Sequence, residues 1–144
     1  MSEDATVHKL HCQVVVAGAA HGRILFSTEP LSFWGGYDYH TGEIIDRRHP
    51  LSGEIAAGCV LCVPATRGSS TTTAVLLEAV KAGTAPAAIV TTGVDTFFAL
   101  ASIVADELYS LPIPLASLSP KDFMLLRVGA TAELSAGGHV TIYR

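Results

Sequence analysis

Residues 59–83 read CVLCVPATRGSSTTTAVLLEAVKAG, and this stretch decides the fold. Cys59 to Val63 is a short continuous apolar run between Gly58 and Pro64, which predicts a strand buried on both faces. The loop ATRGSS (65–70) leads into a segment in which Val75, Leu76, Ala79 and Val80 share one helical face. Ser and Thr supply cap candidates at its start, and Gly83 closes its end. A buried strand, a glycine turn and a helix in that order form one unit of an α/β domain.

Downstream, Ala87 to Thr91 predicts a second apolar strand, followed by a helix from about Asp95 to Tyr109 whose first acidic residue suits both the cap and the dipole. Pro112-Ile113-Pro114-Leu115 begins a further short strand, and PKDFMLLR (120–127) predicts one or two helical turns. TAELSA and HVTIYR alternate around Gly137-Gly138 as a terminal hairpin. Upstream, TVHKLHCQVVV from Thr6 to Val16 predicts one strand, and Arg23 to Ser27 a second. Between these and the deciding stretch lies PLSFWGGYDYHTGEIIDRRHPLSGE (30–54), dense in Gly, Pro, Asp, His and aromatics, with a short strand expected only at Glu43 to Asp46. A connection of this length inside a compact domain is usually functional or binds a partner. Strands in the first third, βαβα in the middle and a hairpin at the end predict an α/β fold with a mixed sheet.

At 144 residues the chain fits one domain, 1–144. Apolar residues make up 49% and charged residues 15%, so part of the apolar surface is expected to meet a partner. Nine Lys and Arg against thirteen Asp and Glu give a net charge of -4, with no basic stripe, which argues against nucleic acid or an anionic membrane as a partner. The start, Met1-Ser2-Glu3-Asp4, lacks the basic and apolar regions of a signal peptide, and a cytoplasmic location is expected. Three cysteines in such a chain are expected to stay reduced.

Arg67-Gly68-Ser69-Ser70 is the strongest local feature. Glycine permits a sharp turn, the first helical N–H groups point outward unpaired, and the dipole favours an anion there. Arg67 would add a bidentate clamp, and Ser69 or Ser70 an oxygen; the competing reading is that the serines only cap the helix. No Lys follows the glycine as in a phosphate loop, and no Gly follows the serine as in a nucleophile elbow. Phe33, Trp34 and Tyr37 lie on a glycine-flexed loop, where aromatics wall a pocket, dock a partner or plug a local core. Cys59 and Cys62 are three apart in a predicted strand and so point to opposite faces, unable to share a metal or a disulfide. His8 and His11 fail as a ligand pair for the same reason; His21, His40 and His49 sit by turns without a matching ligand, so no metal site is expected in this chain.

Residues 30–54, then CVLCVPATRGSSTT (59–72), then LLEAVKAGTAPAAIV (76–90) resemble the small subunit of the aconitase X family, with SFWGG, TGEIID, HPL and RGSS in order over nearly the whole chain. The resemblance implies a swivelling β/β/α domain whose mobile face closes on a larger catalytic subunit. It implies a hydro-lyase that removes water from a small hydroxy acid, either cis-3-hydroxy-L-proline, as in bacteria, or mevalonate 5-phosphate, as in archaea. An iron-sulfur cluster held by cysteines of the large subunit would supply the Lewis acid, with none bound by this chain alone. By motif position the serine base is Ser69, with Ser70 the near alternative, and Arg67 and Gly68 belong to the substrate-binding turn. The superfamily's arginine after the second serine is Thr71 here, and an arginine precedes the glycine instead. Phe33, Trp34 and Tyr37 would then lie at the subunit junction. The few lysines favour hydroxyproline over a thermophilic archaeal substrate. The alternative from another class is a non-catalytic module that binds a small acid or a partner on the same fold.

Overall fold

The computed structural model describes residues 6–68 and 70–143; Ser69 and Arg144 therefore lie outside the described residues, as does the acidic start at 1–4. The strands are β1 (Thr6–His11), β2 (Gln13–Val16), β3 (Ala20–Phe26), β4 (Tyr37–Asp38), β5 (Glu43–Ile44), β6 (Val60–Cys62), β7 (Ala88–Thr91), β8 (Leu115–Ser117), β9 (Thr131–Ser135) and β10 (His139–Tyr143). The helices are α1 (Thr71–Ala82), α2 (Thr96–Tyr109) and the single turn α3 (Pro120–Phe123).

Eight strands form one sheet in the order β1-β10-β9-β3-β6-β7-β8-β2. Its centre, β3-β6-β7-β8, is parallel, with Leu25, Leu61, Ile89 and Leu115 in register. The remaining pairings are antiparallel. The predicted single strand from Thr6 to Val16 is two strands. His11 pairs with His139 at one edge of the order and Gln13 with Ser117 at the other, so the chain changes partners at Cys12. Because the two edges are halves of one run, the sheet curls back towards itself, and the Cys12 amide still donates to the Gly138 carbonyl at 3.0 Å.

Side-chain alternation along the parallel strands builds two cores. Ile24, Val60, Cys62, Ala88 and Val90 face the hairpin β9–β10 and α3, meeting Leu126, Ala132, Val140 and Ile142. Leu25, Leu61, Val63 and Ile89 face the helices, meeting Leu76, Ala79, Phe98 and Ala101. The result is a β/β/α layering, as expected. Cys59 packs against the helix-side core and Cys62 lies in the hairpin-side core, the opposite facing that their spacing predicted.

The predicted helices form, with one difference, at the start of α1. Asp95 caps α2 as expected, accepting from the Phe97 and Phe98 amides, both at 3.0 Å. At α1, Ser70 is the N-cap residue but adopts helical φ and ψ, and its hydroxyl does not cap. Gly83 ends α1 in the left-handed conformation at φ 77°. Beyond the expected strand at Glu43, the connection 30–54 contains the short antiparallel pair β4–β5 and delivers Leu31, Phe33, Tyr37, Ile44 and Leu51 to the helix-side core. Gly36 is required there, since a Cβ at that position would fall on the Ser32 carbonyl oxygen. Among the described residues, no helix is long and apolar enough to cross a membrane.

Candidate functional site

The parallel strands all end on one side of the sheet, and the loops leaving β3 and β6 meet there, the usual place for a ligand in an open α/β sheet. After β6 the chain runs beside the exit from β3: the Leu31 amide donates to the Ala65 carbonyl at 3.3 Å and the Arg67 amide to the Leu31 carbonyl at 3.0 Å. Asp95 holds this loop from the other side, its second carboxylate oxygen accepting from the Thr66 amide at 2.7 Å and the Thr66 hydroxyl at 2.9 Å. Gly68 turns the chain at φ 127°, which a side chain rarely adopts, and α1 begins three residues later. No acidic residue occupies the first turn of α1, so the positive end of its dipole is not offset from within the helix.

Beside Arg67 opens a cavity of about 280 Å³ lined by Glu29, Pro30, Asp46, Arg48, His49 and Arg67. His49 is buried, and both ring nitrogens are used by backbone: Nδ1 accepts from the Leu51 amide at 3.1 Å, which places the proton on Nε2, 3.2 Å from the Glu29 carbonyl it donates to. This neutral imidazole therefore ties the turn at 46–51 to the chain leaving β3. The Asp46 carboxylate accepts from the Arg48 amide at 3.0 Å and shapes that turn. Among the described residues the only ion pair joins Arg23 to Glu54 at 2.9 Å, so Arg48, Arg67, Glu29 and Asp46, which all line the cavity, form no ion pair with one another.

Of the residues singled out from sequence, Arg67, Gly68 and Ser70 fall on one turn beside this cavity, with the Ser70 side chain exposed. Phe33 and Tyr37 are corrected as partner-contact residues. Both are core: Phe33 stacks on Tyr37 with ring centroids 5.0 Å apart and meets Phe98 edge-on at 5.5 Å, and the Tyr37 hydroxyl donates to the Thr84 carbonyl at 2.7 Å. Burial, with a smaller contribution from the nearby Cys59 thiol, pushes the Tyr37 phenol well above its ordinary range. Only Trp34 of the three projects outward, 70% exposed. That Glu29, Asp46 and Arg48 line a cavity with Arg67 was not legible in the sequence, because no local spacing links position 29 to 46–48 or to 67; the order of the HPL and RGSS motifs was the one available pointer. Burial also raises the Cys62, Cys12 and Cys59 thiols above their ordinary value. Among the described residues no three His, Cys, Asp or Glu side chains gather to hold a metal ion, so nothing described here fits an iron-sulfur cluster.

A curled mixed sheet covered by two helices on one face, with a ligand-sized cavity at the ends of its parallel strands, defines a swivel-type β/β/α domain. The aconitase X swivel domain family matches residues 9–142, and the chain belongs to that family. It is 45% identical over 114 residues to cis-3-hydroxy-L-proline dehydratase of Pseudomonas aeruginosa, covering 79% of this chain and 20% of that protein. It is 36% identical over 129 residues to the phosphomevalonate dehydratase small subunit of Methanothermobacter thermautotrophicus, covering 89% of this chain and 94% of that one. The chain thus spans about a fifth of the hydroxyproline dehydratases it matches and between 74% and 99% of the phosphomevalonate dehydratase small subunits. The crystal structure of Thermococcus kodakaraensis aconitase X in its holo-form superposes with a TM-score of 0.84 at 31% identity, over 95% of this chain and 99% of that one.

Proposed function

We propose that this chain is the small, swivelling subunit of a hydro-lyase that dehydrates cis-3-hydroxy-L-proline, with Ser69 as the base. The observation that carries the reading is the cavity itself: an unpaired Arg67 on the Gly68 turn, beside the start of α1, in a domain whose relatives are named as dehydratases. Arg67 would hold the substrate carboxylate through two parallel hydrogen bonds. A serine hydroxyl is a weak base unless its alkoxide is stabilised, and the positive end of the α1 dipole, with no acidic residue in its first turn, and the guanidinium favour that negative charge. Ser69 would then take the proton from the substrate carbon, with Ser70 the neighbouring alternative.

The Lewis acid for the departing hydroxyl would be an iron-sulfur cluster on the large subunit, which also completes the half-open cavity and excludes water. Trp34 would meet that subunit. The near-complete coverage of the archaeal small subunits favours a second reading, mevalonate 5-phosphate as the substrate. The test is co-expression with the large subunit and turnover of both compounds. Ser69→Ala in the assembled complex should lower kcat by roughly 10²–10⁴, the range for losing general-base catalysis, with assembly intact. A larger loss in Ser70→Ala would move the role to that residue. Near-full turnover in Ser69→Ala would favour the non-catalytic binding module.

A further inference from the structure

We propose that Arg48, Glu29 and Asp46 make the cavity selective for a zwitterionic amino acid, a reading that rests on the proposed function and deepens it. Two arginines and two acidic residues line the same space, and no ion pair joins them among the described residues. Glu29, Arg48 and Arg67 are exposed and Asp46 is half-buried, so each is free to pair with a ligand group of complementary charge, and the arrangement of signs acts on selectivity. A ligand bearing only anions, such as one with a carboxylate and a phosphate, would gain at Arg48 and Arg67 but meet repulsion at Glu29 and Asp46. A small acid with no cation would leave both carboxylates unanswered. A ring amino acid presents one carboxylate and one ammonium close together, matching both signs, and the Pro30 ring offers apolar contact for its methylenes.

The opposition of charges is built in. His49 binds the Glu29 carbonyl through one nitrogen and the turn at Leu51 through the other, and Asp46 fixes the Arg48 amide. These bonds hold the chain at 29 facing the turn at 46–49. Arg48 and Arg67 would therefore share the carboxylate, while Glu29 and Asp46 receive the ammonium. Arg48 and the two acidic residues act on selectivity, whereas Ser69 carries the proton.

The test uses the complex with the large subunit and a matched pair of probes, L-proline and cyclopentanecarboxylate, which shares the ring and the carboxylate but has no ammonium. Calorimetry should show proline binding more tightly. Glu29→Gln and Asp46→Asn should each weaken proline by about tenfold, the scale of one charge-assisted contact, and leave cyclopentanecarboxylate unchanged or tighter. Asp46→Asn keeps the oxygen that accepts from the Arg48 amide, so the turn survives the change. Arg48→Gln should weaken both probes. Failure of wild type to prefer proline, or a preference that survives both carboxylate variants, overturns the inference. Hydroxyproline turnover measured alongside separates the two readings: no turnover with the preference intact overturns the hydroxyproline dehydratase assignment alone, and turnover without the preference overturns this inference alone.

Discussion

The Asp95 carboxylate accepts from the Thr66 amide and hydroxyl with one oxygen and from the Phe97 and Phe98 amides with the other. It is at once the cap of α2 and the anchor of the loop that presents Arg67. Asp95→Asn should keep the capping oxygen but turn an NH₂ towards the Thr66 donors. The loss of two charge-assisted bonds should cost about 1–3 kcal/mol in urea unfolding. A change below a few tenths of a kcal/mol would show that the Thr66 contacts carry no stability. Arg67 invites a different test, since Lys keeps the charge but loses the planar fork. If Arg67 grips the carboxylate equally in the ground and transition states, Arg67→Lys should raise KM by about tenfold with kcat little changed. A fall in kcat at constant KM would instead place the arginine's effect in the transition state.

At the scale of elements, the loop at 31–37 contributes Phe33 and Tyr37 to the core and leaves Trp34 outside, which fixes what the loop can do for a partner. If the proposed large subunit docks on Trp34, Trp34→Ala should weaken its binding by about 2 kcal/mol or more, a hot-spot value, while leaving the fold intact because the ring is exposed. Unchanged affinity by calorimetry would move the interface elsewhere. The same loop shows why sequence reading stopped where it did. Glycines and aromatics in close succession suit an exposed binding loop or a core plug equally, and only packing against Phe98 decides for Phe33. The β4–β5 pair is too short to leave a periodic pattern. The break at Cys12 has no glycine or proline to announce it, since it arises from a change of partner strand. By contrast, the β6–α1 unit, the Asp95 cap and the terminal hairpin are set by local chemistry and were legible. Of the residues proposed for the site, Arg67 and Gly68 stand out in the sequence by their place before a helix, while Glu29, Asp46 and Arg48 join Arg67 in the cavity lining only through contacts over long sequence separation.

At the scale of the whole molecule, the two cores share the parallel sheet, so burial of an ionisable group in either one bears on the stability of both. Cys62 lies in the hairpin-side core and Tyr37 in the helix-side core, and desolvation raises both groups above their ordinary values. A raised folded-state value means that the fold binds the proton more tightly than the unfolded chain does. The associated stability is then fully present below the unfolded pKa and is lost as pH climbs through it towards the folded value. The unfolded values are about 8.5 for a thiol and about 10 for a phenol. The unfolding free energy should therefore hold steady near pH 7, begin to fall above about pH 8.5 as unfolded cysteines ionise, and fall faster above about pH 10 as unfolded tyrosine does. Cys12 and Cys59 are shifted in the same direction and add to the first stage. Urea titrations under reducing conditions at a series of pH values would trace both stages. Tyr37→Phe should remove part of the second stage at a neutral-pH cost of about 1 kcal/mol for the lost bond to the Thr84 carbonyl. Cys62→Ala should make the first shallower, leaving the part due to Cys12 and Cys59. A stability that stays constant from neutral pH to above the phenol range would contradict the burial of both groups.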